Sequence, residues 1–154
     1  MTIDKTLGRS VKILLGLLLC WHISGFSQNE NARTLFADNK TTILQIRVID
    51  VTSGSKTAIG SGFVVNSQGL IATNYHVVQL AASKPEQYRI EYLTADDQAG
   101  DLQLVDVDVI NDLALVSAQD LKAQPLSLAV SEPPIGVAVF ALGNPLDPGL
   151  TVVP

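Results

Sequence analysis

Short apolar runs with a period of two, each closed by turn residues, dominate the chain from Thr41 to Ser117. Thr41 to Val51 sets Leu44, Ile46 and Val48 against Gln45 and Arg47, the alternation of a half-buried strand. The turn Ser53-Gly54-Ser55-Lys56 leads into a second strand over Thr57 to Asn66. Asn66-Ser67-Gln68-Gly69 then closes a tight turn, because Asn and Gly accept positive φ, and Leu70 to Thr73 returns as a short strand. One helical turn fits between His76 and Ala82, ahead of Pro85. Gln87 to Thr94 alternates again, with Tyr88, Ile90 and Tyr92 on one face.

In Asp101 to Ile110 the inward parity changes, from Leu102 and Leu104 at even positions to Val105, Val107 and Val109 at odd ones. A period of two cannot change phase without an extra residue, so a bulge or sharp coil is predicted near Leu104, with the later valines inward. Asp106 and Asp108 alternate with those valines and read as a solvated strand face. Asn111 and Asp112 interrupt the pattern, and Leu113 to Ser117 is a last short strand. Six closely spaced strands define an all-β domain over residues 41–117, a small antiparallel barrel or sandwich.

The flanks read differently. Ala32, Leu35 and Phe36, at spacings of three and four, predict a short helix over Asn31 to Asn39, within a lead-in of residues 28–40. Residues 118–135, with three prolines, read as a linker. Gly136 to Leu142 is a further apolar strand, followed by the turn-rich Gly143-Asn144-Pro145-Leu146-Asp147-Pro148-Gly149 and another strand from Leu150. That second group, residues 136–154, offers Val137, Val139, Phe140, Leu142 and Val152 with little to cover them.

Residues 1–27 carry an address. Lys5, Arg9 and Lys12 precede the apolar run Ile13 to Trp21, and the small residues Ser24, Gly25 and Ser27 follow. Basic, apolar, small is the order of a secretory signal peptide. The run is about half of the roughly 20 residues that span a bilayer. A retained membrane anchor is the alternative, and the only membrane contact expected. Leu19 ahead of Cys20 is not the small residue that lipidation needs. Cleavage near Ser27 leaves a chain with no cysteine and one histidine, His76, so an exported product holds itself together by its core alone. The expected destination is the bacterial periplasm, or the inner membrane facing it.

Composition narrows the chemistry by exclusion. With 47% hydrophobic and 16% charged residues the chain is not intrinsically disordered. One cysteine excludes a disulfide framework and a four-cysteine zinc site. A net charge of −5 opposes a nucleic-acid partner, which favours a basic face. Gly60-Ser61-Gly62 lacks the third glycine and the helix of a dinucleotide fingerprint, and Asp96, Asp97 and Asp101 lack calcium-loop spacing. No cofactor and no metal is expected.

His76 stands where a strand gives way to a helical turn, and imidazole is the side chain whose ordinary titration lies nearest neutrality, as general-base work requires. Taken alone it reads more readily as a histidine satisfied by hydrogen bonds at a strand end. Its surroundings decide. Gly60-Ser61-Gly62-Phe63-Val64-Val65 followed by Thr73-Asn74-Tyr75-His76-Val77-Val78 closely resembles the histidine region of the HtrA/Deg family of trypsin-like serine proteases. Asn111-Asp112-Leu113-Ala114-Leu115-Val116 resembles that family's aspartate motif, and Ala141-Leu142-Gly143-Asn144-Pro145 resembles the opening of its second barrel.

The resemblance implies a two-barrel fold, with residues 41–117 as a six-stranded antiparallel first barrel and residues 136–154 as the first strands of the second. It implies polypeptide substrates and leaves a homo-oligomer open. By the same resemblance His76 is the general base, and Asp112, 36 residues on, is a buried carboxylate that fixes its tautomer. The family's Gly-Asn-Ser-Gly-Gly nucleophile string does not occur in the chain. The chain is therefore expected to carry base and orienting acid without nucleophile or oxyanion hole, and to be inactive alone. Two readings from other classes stay open: a non-catalytic barrel that binds extended peptide by strand addition, and a small structural β-domain.

Overall fold

The computed structural model describes residues 24–144 and 151–153. The basic and apolar leader therefore lies outside the described residues. The chain comprises two units, Met1–Leu35 and Phe36–Pro154. Helix α1, Ser24–Asn39, begins well before the predicted Asn31. Polar Gln28 to Asn31 gives no apolar period to read, yet a helix once nucleated propagates through such residues at little cost.

All six predicted strands form: β1 Ile43–Asp50, β2 Lys56–Val64, β3 Leu70–Thr73, β4 Tyr88–Leu93, β5 Ala99–Asp108 and β6 Leu113–Ser117. They close an antiparallel barrel in the order β1-β2-β3-β6-β5-β4. Leu44, Ile46 and Val48 of β1 are fully buried and meet Val64, Ile71, Ile90, Tyr92, Leu102, Ala114 and Val116 in the core. The residues of period two that predicted the strands are the ones that fill the cylinder.

Helix α2, Tyr75–Ser83, lies between β3 and β4 and exceeds the single turn expected. Val77, Val78 and Ala81 bury its inner face. A Cβ on Gly60 would stand 2.4 Å from Val77 Cγ2, so the bare glycine of β2 admits the helix. The turn before β3 also forms as predicted. Asn66 Oδ1 accepts from the N–H groups of Gln68 and Leu70, and Gly69 adopts φ +81°. Gly69 C=O accepts from Ala118 N–H at 3.0 Å, and a Cβ there would lie 2.2 Å from Ala118 O.

The predicted bulge is found one residue beyond Leu104. Leu104 pairs with Val116 and Asp106 with Leu115, which leaves Val105 without an opposite residue on β6. The expectation that the later valines are buried is corrected: Val105, Val107 and Val109 are all exposed. The ladder between β4 and β5 ends at Ile90–Leu102, so the far half of β5 runs past the barrel with β6 alone beside it. Asp106 and Asp108 are solvated as expected.

Two further corrections concern faces and ends. Gln45, read as outward and polar, is buried, and its Oε1 accepts from Arg47 Nε. β1 is thus covered on both sides, and the short strand β7, Ala141–Gly143, lies against β1 and β2. The predicted strand over Gly136 to Leu142 shrinks to β7, which pairs with β8, Thr151–Val153. Pro134 to Val137 is a turn instead, with Val137 N–H donating to Pro134 O at 3.3 Å and Gly136 at φ +87°. A proline opening the turn and a positive-φ glycine outweigh the apolar run. Residues 118–140 are irregular, but Leu121 and Ala123 pack on the core and Leu126 N–H donates to Val64 O.

Candidate active site

The pairing of β3 with β6 sets the site. Thr73 is opposite Ala114, so the chain leaving β3 and the chain entering β6 emerge side by side at one rim. The first carries Asn74 to His76 and the second carries Asp112. His76 and Asp112 are 36 positions apart, and the chain between them completes α2 and forms β4 and β5 before it returns.

At the rim His76 Nδ1 is 2.7 Å from Asp112 Oδ2. His76 main-chain N–H donates to Asp112 Oδ1 at 2.9 Å, so one carboxylate receives both the ring and the backbone of the same histidine. Tyr75 N–H donates to the Asp112 carbonyl at 3.2 Å, and Asn74 Nδ2 donates to that carbonyl and to Oδ2 at 3.1 and 3.2 Å. Asp112 holds a left-handed φ of +54° within this set of bonds. Such a conformation is uncommon outside glycine, although Asp and Asn adopt it more readily than most.

The N–H of His76 is the main reason that the Asp112 carboxyl titrates below its ordinary value, with the His76 ring and the Asn74 amide acting in the same direction. The carboxylate, ionised across the neutral range as any aspartate is, thereby stays ionised further into acid beside the imidazole. The expectation of a buried carboxylate is corrected: the Asp112 side chain is 45% exposed and that of His76 67%. Shielding does not hold the pair together. Its hydrogen bonds do.

Other candidates stay apart. Asp108 accepts from the N–H and the amide of Asn111, which closes the turn before Asp112, and neither Asp108 nor Asp106 bonds His76. Ser61 Oγ accepts from Asn144 N–H at 2.7 Å, across 83 residues, which ties β2 to the end of β7. Asn144 is buried, and among the described residues its Oδ1 has no partner. Sequence reasoning passed over both Asn74 and Asn144; the signal for the first was its place within the Thr-Asn-x-His string. Beside the pair a groove of ≈ 270 Å³ is lined by Ser61, Phe63, Thr73, Asn74, Leu113 and Leu142. Among the described residues no three His, Cys, Asp or Glu side chains are grouped to hold a metal ion.

Comparison with known proteins gives this geometry its context. The profile of the trypsin-like peptidase domain matches residues 60–153. Protease Do-like 1, chloroplastic, of Arabidopsis thaliana is 38% identical over 109 residues, which are 68% of this chain and 23% of that protein. A probable periplasmic serine endoprotease DegP-like of Rickettsia conorii is 30% identical over 114 residues, 71% of this chain and 21% of that protein. The crystal structure of Deg5 superposes with a TM-score of 0.66 at 26% identity, covering 81% of this chain and 61% of that one. The chain thus spans between a fifth and a quarter of the length of these two curated relatives. With its closed barrel, its paired motifs and these matches, the chain belongs to the HtrA/Deg family of trypsin-like serine proteases.

Proposed function

We propose that this chain supplies the base half of an exported serine endopeptidase that acts on polypeptides. His76 is the general base: the N–H at Nδ1 donates a hydrogen bond to Asp112 Oδ2, which leaves Nε2 unprotonated to take the proton of an attacking serine hydroxyl and return it to the leaving amine. Asp112 orients the ring, fixes that tautomer and stabilises the imidazolium as it forms, without itself becoming protonated. The observation that carries this reading is the 2.7 Å contact between His76 Nδ1 and Asp112 Oδ2.

The nucleophile and oxyanion donors are not among these residues. Ser61, the one serine within the histidine motif, has its hydroxyl bonded to Asn144 N–H. A triad that lacks one member but keeps its oxyanion hole retains about 10³–10⁴-fold acceleration over water. With the donors absent as well, the 154-residue polypeptide is inactive by itself. Export is supported by the leader-like residues 1–27 and by the kinship with a probable periplasmic endoprotease. No helix among the described residues is long and apolar enough to cross a membrane.

Peptide binding by strand addition fares less well, because it gives no role to an imidazole and a carboxylate held 2.7 Å apart. The test is covalent labelling with a fluorophosphonate. The chain alone takes no label, whereas a version extended with a nucleophile-bearing second barrel takes label that His76→Ala abolishes. Labelling of the extended His76→Ala protein at the unmutated rate would end the assignment of the base.

A further inference from the structure

Helix α2 begins in an unusual way. Asn74 occupies its cap position with extended backbone, φ −83° and ψ 144°. An asparagine there ordinarily turns its side-chain oxygen onto the N–H of the second or third helical residue. Asn74 makes no such bond. The N–H groups that need acceptors find them elsewhere: Tyr75 on Asp112 O, His76 on Asp112 Oδ1 and Val77 on the main-chain oxygen of Asn74. An aspartate from the turn before β6 thus caps the helix in place of the local residue. The Asn74 side chain is released to donate from Nδ2 to both Asp112 O and Asp112 Oδ2.

That exchange has a consequence for the base. Asp112 Oδ1 accepts from the His76 N–H, and Oδ2, on the same planar group, faces the exposed ring. The Asn74 amide is its second partner. The same amide, with Tyr75 N–H, also grips the Asp112 carbonyl and so helps to hold the left-handed backbone. We propose that Asn74 is a positioning residue: its amide pins Asp112 Oδ2 so that it accepts the Nδ1 proton of His76 and keeps Nε2 bare. Among good cap residues only Asn combines a donor with this reach. Asp would set a carboxylate against a carboxylate, and the Ser hydroxyl is one bond shorter.

This inference rests on the proposed pairing of His76 with Asp112, and the experiment separates the two. Nitrogen-15 NMR of the histidine rings in the full chain reads the tautomer directly, and urea unfolding reads the cap. In the wild-type chain the neutral His76 ring carries its proton on Nδ1. Asn74→Ser, itself a good cap, keeps the unfolding midpoint but admits the Nε2–H tautomer. Its Nδ1 proton exchanges about fivefold faster, the factor expected for one hydrogen bond of ordinary net strength. Asn74→Asp, which sets a second carboxylate beside Oδ2, shifts the tautomer further at neutral pH. Wild-type ring signals in both Asn74 variants, alongside altered signals in Asp112→Asn, would overturn the role of Asn74 alone. Unaltered signals in Asp112→Asn as well would overturn the His76–Asp112 pairing and both readings together.

Discussion

The barrel of residues 43–117 and the segment that follows it are similarly rich in apolar residues, yet the barrel buries a core while much of the segment beyond Ala123 stays exposed. In the barrel each strand has a partner on both sides, and Leu44, Ile46, Ile71 and Val116 are fully buried. Among the described residues of the segment, strand pairing is limited to three residues each of β7 and β8, while Val130, Ile135, Val137 and Val139 are exposed. Apolar content does not decide burial. Closure does, because a strand buries its inner face only where neighbours on both sides complete a cavity to fill. The far half of β5 repeats the point within the barrel, where valines exposed past the last β4 partner sit in the same strand as buried Leu102.

The largest effects separate chemistry from framework at the rim where the barrel carries its site. In a version extended with a nucleophile-bearing second barrel, His76→Ala is expected to lower kcat by about 10⁶-fold. Asp112→Asn, which leaves the ring in the wrong tautomer, is expected to cost about 10⁴-fold. Peptide hydrolysis measures both, and far-ultraviolet circular dichroism is expected to stay unchanged. A loss below tenfold in either variant would mean that the rim pair is not the catalytic one.

The contrast between the regions is sharpest in stability. Leu44→Ala is expected to cost about 2–5 kcal/mol in urea unfolding, through lost burial and the cavity left behind. Val139→Ala, a change on the exposed segment, is expected to stay within about 0.5 kcal/mol. Equal costs would show that the segment is covered as the barrel is. Gly69→Ala combines a positive φ with a contact no Cβ tolerates, and is expected to cost about 1–3 kcal/mol from backbone strain alone.

The smallest effect is that of pH. The folded Asp112 carboxyl titrates below its ordinary 3.8, so the stabilisation it brings is complete above that value and disappears as pH falls through the lowered one. Unfolding of wild-type and Asp112→Asn chains is expected to differ at pH 6 and to converge in stronger acid. A gap that widened toward acid would mean that the aspartate is stabilised in its protonated form.

Much of this molecule was legible along the chain because the informative signals are local. Alternation placed the six strands, Asn66 and Gly69 placed a turn, and the change of parity placed the bulge at Val105 within one residue. The Thr-Asn-x-His and Asn-Asp strings nominated His76 and Asp112. Burial was less legible. Gln45 is polar and inside, while Val107 and Val109 are apolar and outside, because their exposure depends on which strand lies alongside.

What the sequence by itself determined is the six strands of the barrel and the turn at Asn66 to Gly69, which rest on backbone preferences and spacing of a few residues; His76 and Asp112 were singled out by the resemblance of their motifs to a family. What only the tertiary structure decided is the meeting of residues 36 apart at 2.7 Å, the solvent exposure of that pair and the capping of α2 by a distant aspartate. Those depend on the pairing of β3 with β6, a contact that closes a long loop and leaves no trace in the local pattern.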